Sequence, residues 1–198
     1  MAPYNKTYIF GGPHPWSSTE WTSSDDRVRS GSSISRLKPS ADAYSALFKG
    51  NLNITTLGGA GFALQRTTAE VWGLSSFDGI KVSLDVDRSD EKLYTLIPKD
   101  EVLEKRPDGR ERSTLSWEVD FRARDGDGSG KVFVKWADLR PTFFGIQEGG
   151  FALSVVSIAG WKGGEGEDEF ENEKKDILQI ETREEVDEGS VCHCCLVM

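Results

Sequence analysis

The chain has 198 residues and a mass of 21.9 kDa, which is enough for one ordinary domain and short of two comfortable ones. Hydrophobic residues make up 37% of the sequence and charged residues 29%, and this balance, with 6 Trp and 10 Phe, excludes wholesale disorder. No apolar run approaches the roughly 18 residues of a membrane-spanning helix, and the formal charge of -9 argues against a nucleic-acid-binding protein, which would carry a basic stripe.

The first 15 residues are predicted to form an N-terminal extension ahead of the folded domain. They lack the apolar core of a secretory signal. With Lys6 as their single basic residue, they also do not make an Arg-rich mitochondrial presequence. We therefore expect no cleaved targeting segment at this end.

Residues 16–162 are expected to fold as one β-rich domain. Apolar and polar residues alternate with a period of two in several stretches, which is typical of strands with one buried face. Gly-rich turns separate these stretches, and no convincing amphipathic helical window interrupts them. The pattern predicts an all-β class, either a sandwich or a barrel, with strands at 43–52, 62–66, 80–87, 92–97, 115–121, 131–136 and 151–158.

Two turn sequences resemble ligand-binding loops. Residues 125–130 (DGDGSG) match the first half of a calcium loop, but the twelfth position, where a bidentate carboxylate belongs, is Trp136. A hairpin turn explains this sequence better. Residues 58–61 (GGAG) could approach a phosphate, yet they are not G-x-G-x-x-G and no helix follows them. We therefore predict no metal site and no cofactor.

Catalytic residues are scarce in the body of the chain. The two histidines are His14 and His193, and the first 191 residues contain no cysteine. A Cys-His pair is therefore excluded there, and a Ser-His pair would depend on His14 alone. Glu118 and Asp120 share a strand face, as glycosidase carboxylates can, but solvent-facing charges on a half-exposed strand explain them more simply. The sequence predicts a protein that is not an enzyme.

Four of the six tryptophans fall into two predicted groups. Trp117 and Trp136 lie on the apolar phase of their strands, and we expect them in the core. Trp16 and Trp21 precede the first clear strand, and we expect them to be freer to face a ligand.

Five sequence blocks occur in a fixed order and span about residues 16–160: residues 21–33 (WTSSDDRVRSGSS), 57–63 (LGGAGFA), 72–80 (WGLSSFDGI), 136–142 (WADLRPT) and 147–151 (QEGGF). Together they resemble the complex I intermediate-associated protein family, the thirty-kilodalton class. The resemblance implies a jelly-roll β-sandwich of the galactose-binding type. It also implies a non-catalytic, chaperone-like factor that binds unfolded or intermediate subunits during assembly of mitochondrial NADH:ubiquinone oxidoreductase.

The first block is the strongest element of the resemblance and has two interpretations. In the functional one, Trp21, Asp25, Asp26 and Arg27 form a partner-binding rim, because an arginine fork can bind carboxylates bidentately. In the other, the block is an ion-paired turn that fixes the neighbouring strand.

At one junction the sequence departs from the family pattern. Pro141-Thr142 runs directly into Phe143-Phe144-Gly145, where family members carry a loop and a further strand. We therefore expect a sandwich that lacks one inner strand, through natural shortening or a lost exon, with exposed strand edges and apolar surface.

The C-terminal part has an acidic and a cysteine-rich section. Residues 163–190 hold 12 Asp and Glu against 3 Lys and Arg, and we predict a disordered acidic linker there. Residues 191–198 are predicted to be a lipidation tail. Cys195-Leu196-Val197-Met198 is a prenylation pattern in which Met favours farnesyl, and Cys192 and Cys194 are placed to accept palmitate. The alternative, a Cys-His-Cys-Cys metal cluster, has adjacent ligands that suit tetrahedral zinc poorly.

These predictions conflict about location. The family resemblance implies protein partners in the mitochondrion, whereas a prenylated Cys195 implies the cytosolic face of a membrane. The alternative function is a carbohydrate- or small-ligand-binding sandwich module that the prenylated C-terminus anchors to a membrane. The fold permits that function, but no residue demands it.

Overall fold

The structure is a computed structural model that describes residues 7–59, 61–68, 71–101, 104, 106–107, 115–125, 127–141, 149–162 and 191–197. The predicted acidic linker lies outside the described residues. The strands are β1 (Thr7–Gly11), β2 (Trp21–Ser23), β3 (Ile34–Pro39), β4 (Ala46–Leu52), β5 (Leu64–Thr67), β6 (Trp72–Gly73), β7 (Gly79–Asp85), β8 (Tyr94–Lys99), β9 (Trp117–Phe121), β10 (Lys131–Lys135), β11 (Arg140–Pro141), β12 (Gly149–Trp161) and β13 (Val191–Val197). Within the described ranges, no helix is long and apolar enough to cross a membrane.

The first sheet, sheet I, has six antiparallel strands. Its order is β10-β7-β12-β4-β3, and β1 also pairs with β12. Residues 149–155 of β12 pair with β4, and residues 157–160 pair with β1. On its other side β12 pairs with β7, with an irregularity between Val155 and Ser157. The long strand β12 therefore holds sheet I together along its full length.

The second sheet, sheet II, has the order β11-β9-β8-β13-β5-β2, and β6 pairs with β13. All of its pairings are antiparallel. The sequence predicted a lipidation tail and no strand in the last eight residues. The structure places β13 there, inside sheet II, between β8 and β5. The predicted loss of an inner strand after Thr142 falls on residues outside the described ranges and stays a prediction.

The core lies between the two sheets. Phe48 and Phe151 of sheet I meet Tyr94 and Phe121 of sheet II there. The ring centroids are 4.9 Å apart for Phe48 and Phe151, 6.1 Å for Phe48 and Tyr94, and 6.2 Å for Tyr94 and Phe121. Aromatic pairs at such separations add to the energy gained by burial. The predicted all-β class and β-sandwich are confirmed.

Strand β7 shows the predicted alternation on one side only. Ile80, Val82 and Leu84 are buried in the core, as expected. Lys81 was expected to face solvent, but it is buried on the opposite face, with its Nζ 5.5 Å from the centroid of the Phe133 ring. An ammonium over an aromatic ring is attracted by the ring, and the lysine stem can be buried while it does so.

Strand β1 lies within the range that the sequence assigned to an extension. Its residues pair with β12, and Ile9 and Phe10 are part of the core. The sequence signal was weak because the strand is short and is followed at once by a Gly-Gly-Pro turn.

The predicted hairpin at residues 125–130 is wrong. Strand β9 belongs to sheet II and β10 to sheet I, so residues 122–130 connect the two sheets. A turn sequence fixes a local change of direction but not which sheet the next strand joins.

Candidate partner-binding surface

The strongest sequence block begins at β2 and continues into a 3-10 turn at Asp26–Arg29. Asp25 is 2% exposed and Asp26 is 0% exposed, so both carboxylates lie inside the protein. Burying a carboxylate is costly unless hydrogen-bond donors surround it. The hydrogen-bond donors around these two carboxylates therefore reveal the structural role of the block.

Asp26 binds the segments that lead into β3 and β5. Its Oδ1 accepts the main-chain N–H of Ser33 at 2.9 Å. Its Oδ2 accepts the Ser33 hydroxyl at 2.6 Å and the N–H of Phe62 at 3.3 Å. Gly31 lies so close that a Cβ there would be 2.2 Å from Asp26 Cγ, so this position has room for glycine only.

Asp25 makes a similar set of hydrogen bonds with residues two positions further along the chain, Ser35 and Leu64. Its Oδ2 accepts the N–H of Ser35 at 3.0 Å and Nη2 of Arg27 at 3.1 Å. Its Oδ1 accepts the N–H of Leu64 at 3.0 Å and also the Ser35 hydroxyl. Gln65 Nε2 donates to Ser35 Oγ at 2.9 Å and extends the network.

We call Asp25, Asp26, Ser33 and Ser35 the carboxylate clasp. Strand β3 belongs to sheet I and β5 to sheet II, so the clasp joins the two sheets at one edge of the sandwich. Sequence reasoning missed the two serines as partners. Their alternation with the exposed side chains of β3 was the signal that could have identified them as buried.

Above the clasp, the same turn carries three exposed side chains, Arg27, Val28 and Arg29, which we call the arginine turn. The side chain of Arg27 is 52% exposed and Val28 is 75% exposed. The guanidinium of Arg29 lies 5.8 Å from the centroid of the Phe62 ring. Of the four residues in the predicted rim, Arg27 is accessible, whereas Asp25 and Asp26 lie beneath it.

The tryptophans are placed almost opposite to the sequence prediction. Trp21, the fourth rim residue, is buried with Trp16, and their ring centroids are 6.0 Å apart. Both rings contact Phe10 of β1. Trp117 and Trp136 are only partly buried, although Trp136 packs against the core and donates from Nε1 to the carbonyl of Phe77 at 2.7 Å. The expectation that Trp16 and Trp21 face a ligand is therefore wrong.

An open groove of about 600 Å³ lies over β3, β4 and β12 in sheet I. Arg36 and Lys49 line it from opposite positions of β3 and β4, and both are exposed. Asp90 also lines it, but its carboxylate accepts the hydroxyl of Tyr94 at 2.8 Å and the N–H of Ala152 at 2.9 Å. Burial and the hydrogen bond to Asp90 raise the pKa of Tyr94. Sequence reasoning missed this groove because it combines strands that are far apart in the chain.

The carboxylate pair on β9 is split between two environments. Asp120 is exposed and its Oδ1 accepts the Thr95 hydroxyl at 2.6 Å. Glu118 is only 9% exposed, and its Oε1 has no hydrogen-bond partner among the described residues. Burial raises the pKa of Glu118, and the negative charge of Asp120 raises it further. The expectation that both carboxylates face solvent is wrong for Glu118.

The carboxylates of the calcium-like sequence form the turn itself. Asp127 Oδ1 accepts the N–H of Ser129 at 2.8 Å, and Asp125 Oδ2 accepts the N–H of Arg122 at 2.6 Å. The hydrogen bonds from Ser129 lower the pKa of Asp127. Across the described part of the chain, no three His, Cys, Asp or Glu residues are grouped to hold a metal ion.

The residues predicted to carry lipids lie on β13. In the register of sheet II, Cys195 is opposite Arg66 on one side and Ile97 on the other, and Cys192 is opposite Trp72. Prenylation of Cys195 and palmitoylation of Cys192 and Cys194 stay predictions. A transferase needs an accessible chain, so these modifications would require β13 to leave the sheet.

The two sheets, joined at one edge by buried carboxylates, define a β-sandwich domain with an exposed arginine turn. The sequence pattern of the complex I intermediate-associated protein 30 (CIA30) family matches residues 9–159, and the chain belongs to that family. The chain is also similar to an uncharacterized protein of Schizosaccharomyces pombe, C9E9.15, with 38% identity over 156 residues, which cover 76% of this chain and 70% of the relative. The family is associated with complex I assembly and, through it, with mitochondria. The matched range runs from β1 into β12 and stops before β13.

Proposed function

We propose that this protein is a non-catalytic assembly factor that binds partly assembled subunits of respiratory complex I in the mitochondrion. Family membership over residues 9–159 is the observation that carries the proposal, since this range includes the carboxylate clasp and most of both sheets. A fold alone does not define a function, so the proposal also needs a binding surface.

The arginine turn is the surface that we assign to this binding. The buried clasp holds its backbone, so little conformational freedom would be lost when a partner binds. Arg27 can bind a partner carboxylate with its planar fork, and Val28 adds an apolar contact beside it. Trp21, Asp25 and Asp26 then act by positioning the turn rather than by touching the partner.

Co-purification of complex I subunits tests the proposal. The tagged full chain should co-purify subunits of complex I intermediates from mitochondria, quantified by mass spectrometry, and Arg27→Ala should reduce their amount several-fold. Arg88→Ala is the matched control, because Arg88 is similarly exposed and lies on a different turn. A glycan array run in parallel tests the carbohydrate-binding alternative. Glycan binding without captured subunits would contradict the assembly role.

Thermal unfolding separates a binding role of Arg27 from a structural one. The Arg27 side chain is half exposed, and without it the buried Asp25 still accepts the N–H groups of Ser35 and Leu64, so Arg27→Ala should lower the melting temperature by only a few degrees. Loss of the cooperative transition in this variant would show that Arg27 is needed for folding, and the loss of subunits would then say nothing about the surface.

Cell fractionation decides between the two predicted locations. The proposal places the untagged chain in mitochondria, and Cys195→Ser should leave its distribution unchanged. If the chain instead partitions to other membranes and Cys195→Ser releases it, the lipid anchor holds and the mitochondrial location fails.

A further inference from the structure

Strand β13 occupies an interior position of sheet II, although it lies outside the range matched by the family. It pairs with β8 from His193↔Lys99 to Val197↔Thr95. It pairs with β5 from Cys195↔Arg66 to Val197↔Leu64. In the described residues β8 and β5 pair with β13 and not with each other, so removing β13 would leave a slot between two strand edges.

The β5 wall of this slot is fixed without β13. Strand β5 pairs with β2 over three residues, from Trp21↔Thr67 to Ser23↔Gln65. The carboxylate clasp also holds β5, because the N–H of Leu64 donates to Asp25.

The β8 wall is fixed in the same way. Strand β8 pairs with β9, where Tyr94 lies opposite Phe121. The hydroxyl of Tyr94 donates to Asp90, and Asp90 accepts the N–H of Ala152 in sheet I. Both walls therefore have anchors that do not involve β13, and we expect the slot to keep its shape when β13 leaves.

A slot with two anchored edges binds an extended chain through main-chain hydrogen bonds. Ile97 of β8 is buried, and Leu64 of β5 packs against it. The slot has one apolar wall at each of two register positions: Ile97 opposite Cys195, with Arg66 on the other wall, and Leu64 opposite Val197, with Thr95 on the other wall. The slot therefore suits an antiparallel segment of about seven residues with apolar residues at those two positions.

We propose that this slot is an exchangeable strand-binding site. In the free protein it holds β13, and during assembly it holds an extended, apolar segment of a client subunit. The inference rests on the proposed function, because that function supplies the client. Residues 162–190 keep β13 attached after it leaves, so it returns by an intramolecular step and competes with a weakly bound client.

A locked variant tests whether the strand exchanges. Ile97→Cys places a thiol opposite Cys195, and Cys192→Ser with Cys194→Ser removes the competing thiols. The probe is a labelled peptide with the sequence of residues 190–197 in which Cys192 and Cys194 are replaced by serine and Cys195 by alanine, and its binding is followed by fluorescence anisotropy. The oxidised full chain should not bind the peptide, and reduction of the same sample should restore binding.

A second variant opens the slot. Leu196→Pro removes a main-chain donor at a position where β13 pairs with both β5 and β8, so the full-length variant should bind the peptide about tenfold more tightly than the wild type. Failure of the disulfide to form, or equal peptide binding by the oxidised and reduced protein, would overturn the inference. If Leu196→Pro does not fold, the oxidised and reduced pair still decides.

The client part of the inference has its own readout. The oxidised locked variant should co-purify several-fold fewer complex I subunits than the wild type. Peptide exchange without subunit capture by any variant would retain the slot but overturn both its client and the proposed function. Subunit capture that the lock does not change would leave the assembly role in place and overturn the slot as its site.

Discussion

The burial of Glu118, Trp16 and Trp21 affects the stability of the fold, and the sequence did not predict it for any of the three. Polar residues that alternate with apolar ones along a strand usually face water. This expectation fails for Glu118 and Lys81, which point away from the core but are nevertheless buried. Trp16 and Trp21 gave no periodic signal because they flank a 3-10 turn. Their burial arises from contact with Phe10 of β1, which no local pattern could predict.

The raised pKa of Glu118 predicts a specific pH dependence. The folded protein holds this proton more tightly than the unfolded chain, whose carboxyl keeps its ordinary pKa of 4.5. The contribution of Glu118 to the free energy of unfolding therefore falls as the pH rises from 4.5 through the raised pKa. Glu118→Gln has no such titration, so its stability relative to the wild type should increase across this window. Urea unfolding at several pH values measures the difference.

Asp120→Asn is the control for this prediction. It removes the neighbouring charge that raises the pKa of Glu118, so it should weaken the pH dependence without abolishing the contribution of burial. A difference between Glu118→Gln and the wild type that stays constant with pH would show that Glu118 titrates normally.

Of the contacts between structural elements, the carboxylate clasp between the two sheets is the one that the local sequence explains best. The block WTSSDDRVRSGSS contains both acids, the glycine that allows close approach and Ser33, and Ser35 follows two residues after it. Its partners Phe62, just before β5, and Leu64, at the start of β5, are 36 and 39 residues further along the chain, and only the fold brings them close. The sequence thus showed that the block matters, while the structure shows that its carboxylates join the sheets.

Removal of one clasp carboxylate should be severe. Asp26→Ala removes the carboxylate that accepts the buried N–H of Ser33 and the N–H of Phe62, and it leaves the Ser33 hydroxyl with only the Asn53 carbonyl at 3.3 Å. Each unsatisfied buried donor costs about 1–3 kcal/mol, so the free energy of unfolding should fall by about 3 kcal/mol or more. Urea denaturation measures this loss, with exposed Asp87→Ala as the control. Equal losses in both variants would show that the clasp does not stabilise the sandwich.

Strand β13 could not be predicted from the local sequence. Residues 191–197 (VCHCCLV) have no clear alternation and follow a long acidic stretch. Their pairing depends on edges built by β8 and β5, which are about 100 residues away or more. Non-local strand pairing of this kind has little local signature.

For the whole molecule, composition and alternation were sufficient to predict an all-β domain, and five ordered blocks were sufficient to identify the family. They could not show that the rim carboxylates are buried, because burial depends on how the two sheets meet. We propose that the sandwich contacts its partner at two places, the arginine turn and the strand slot in sheet II. Both features serve one central claim, that the protein binds intermediates of complex I assembly.

Native gel electrophoresis of mitochondria from cells that lack this protein tests that claim most directly. We expect less mature complex I in these cells and an accumulated smaller assembly intermediate. Wild-type protein and Arg88→Ala should restore the mature complex, whereas Arg27→Ala, expressed at the same level, should not. Mature complex I at a normal level in cells without the protein would show that the protein has no role in assembling it.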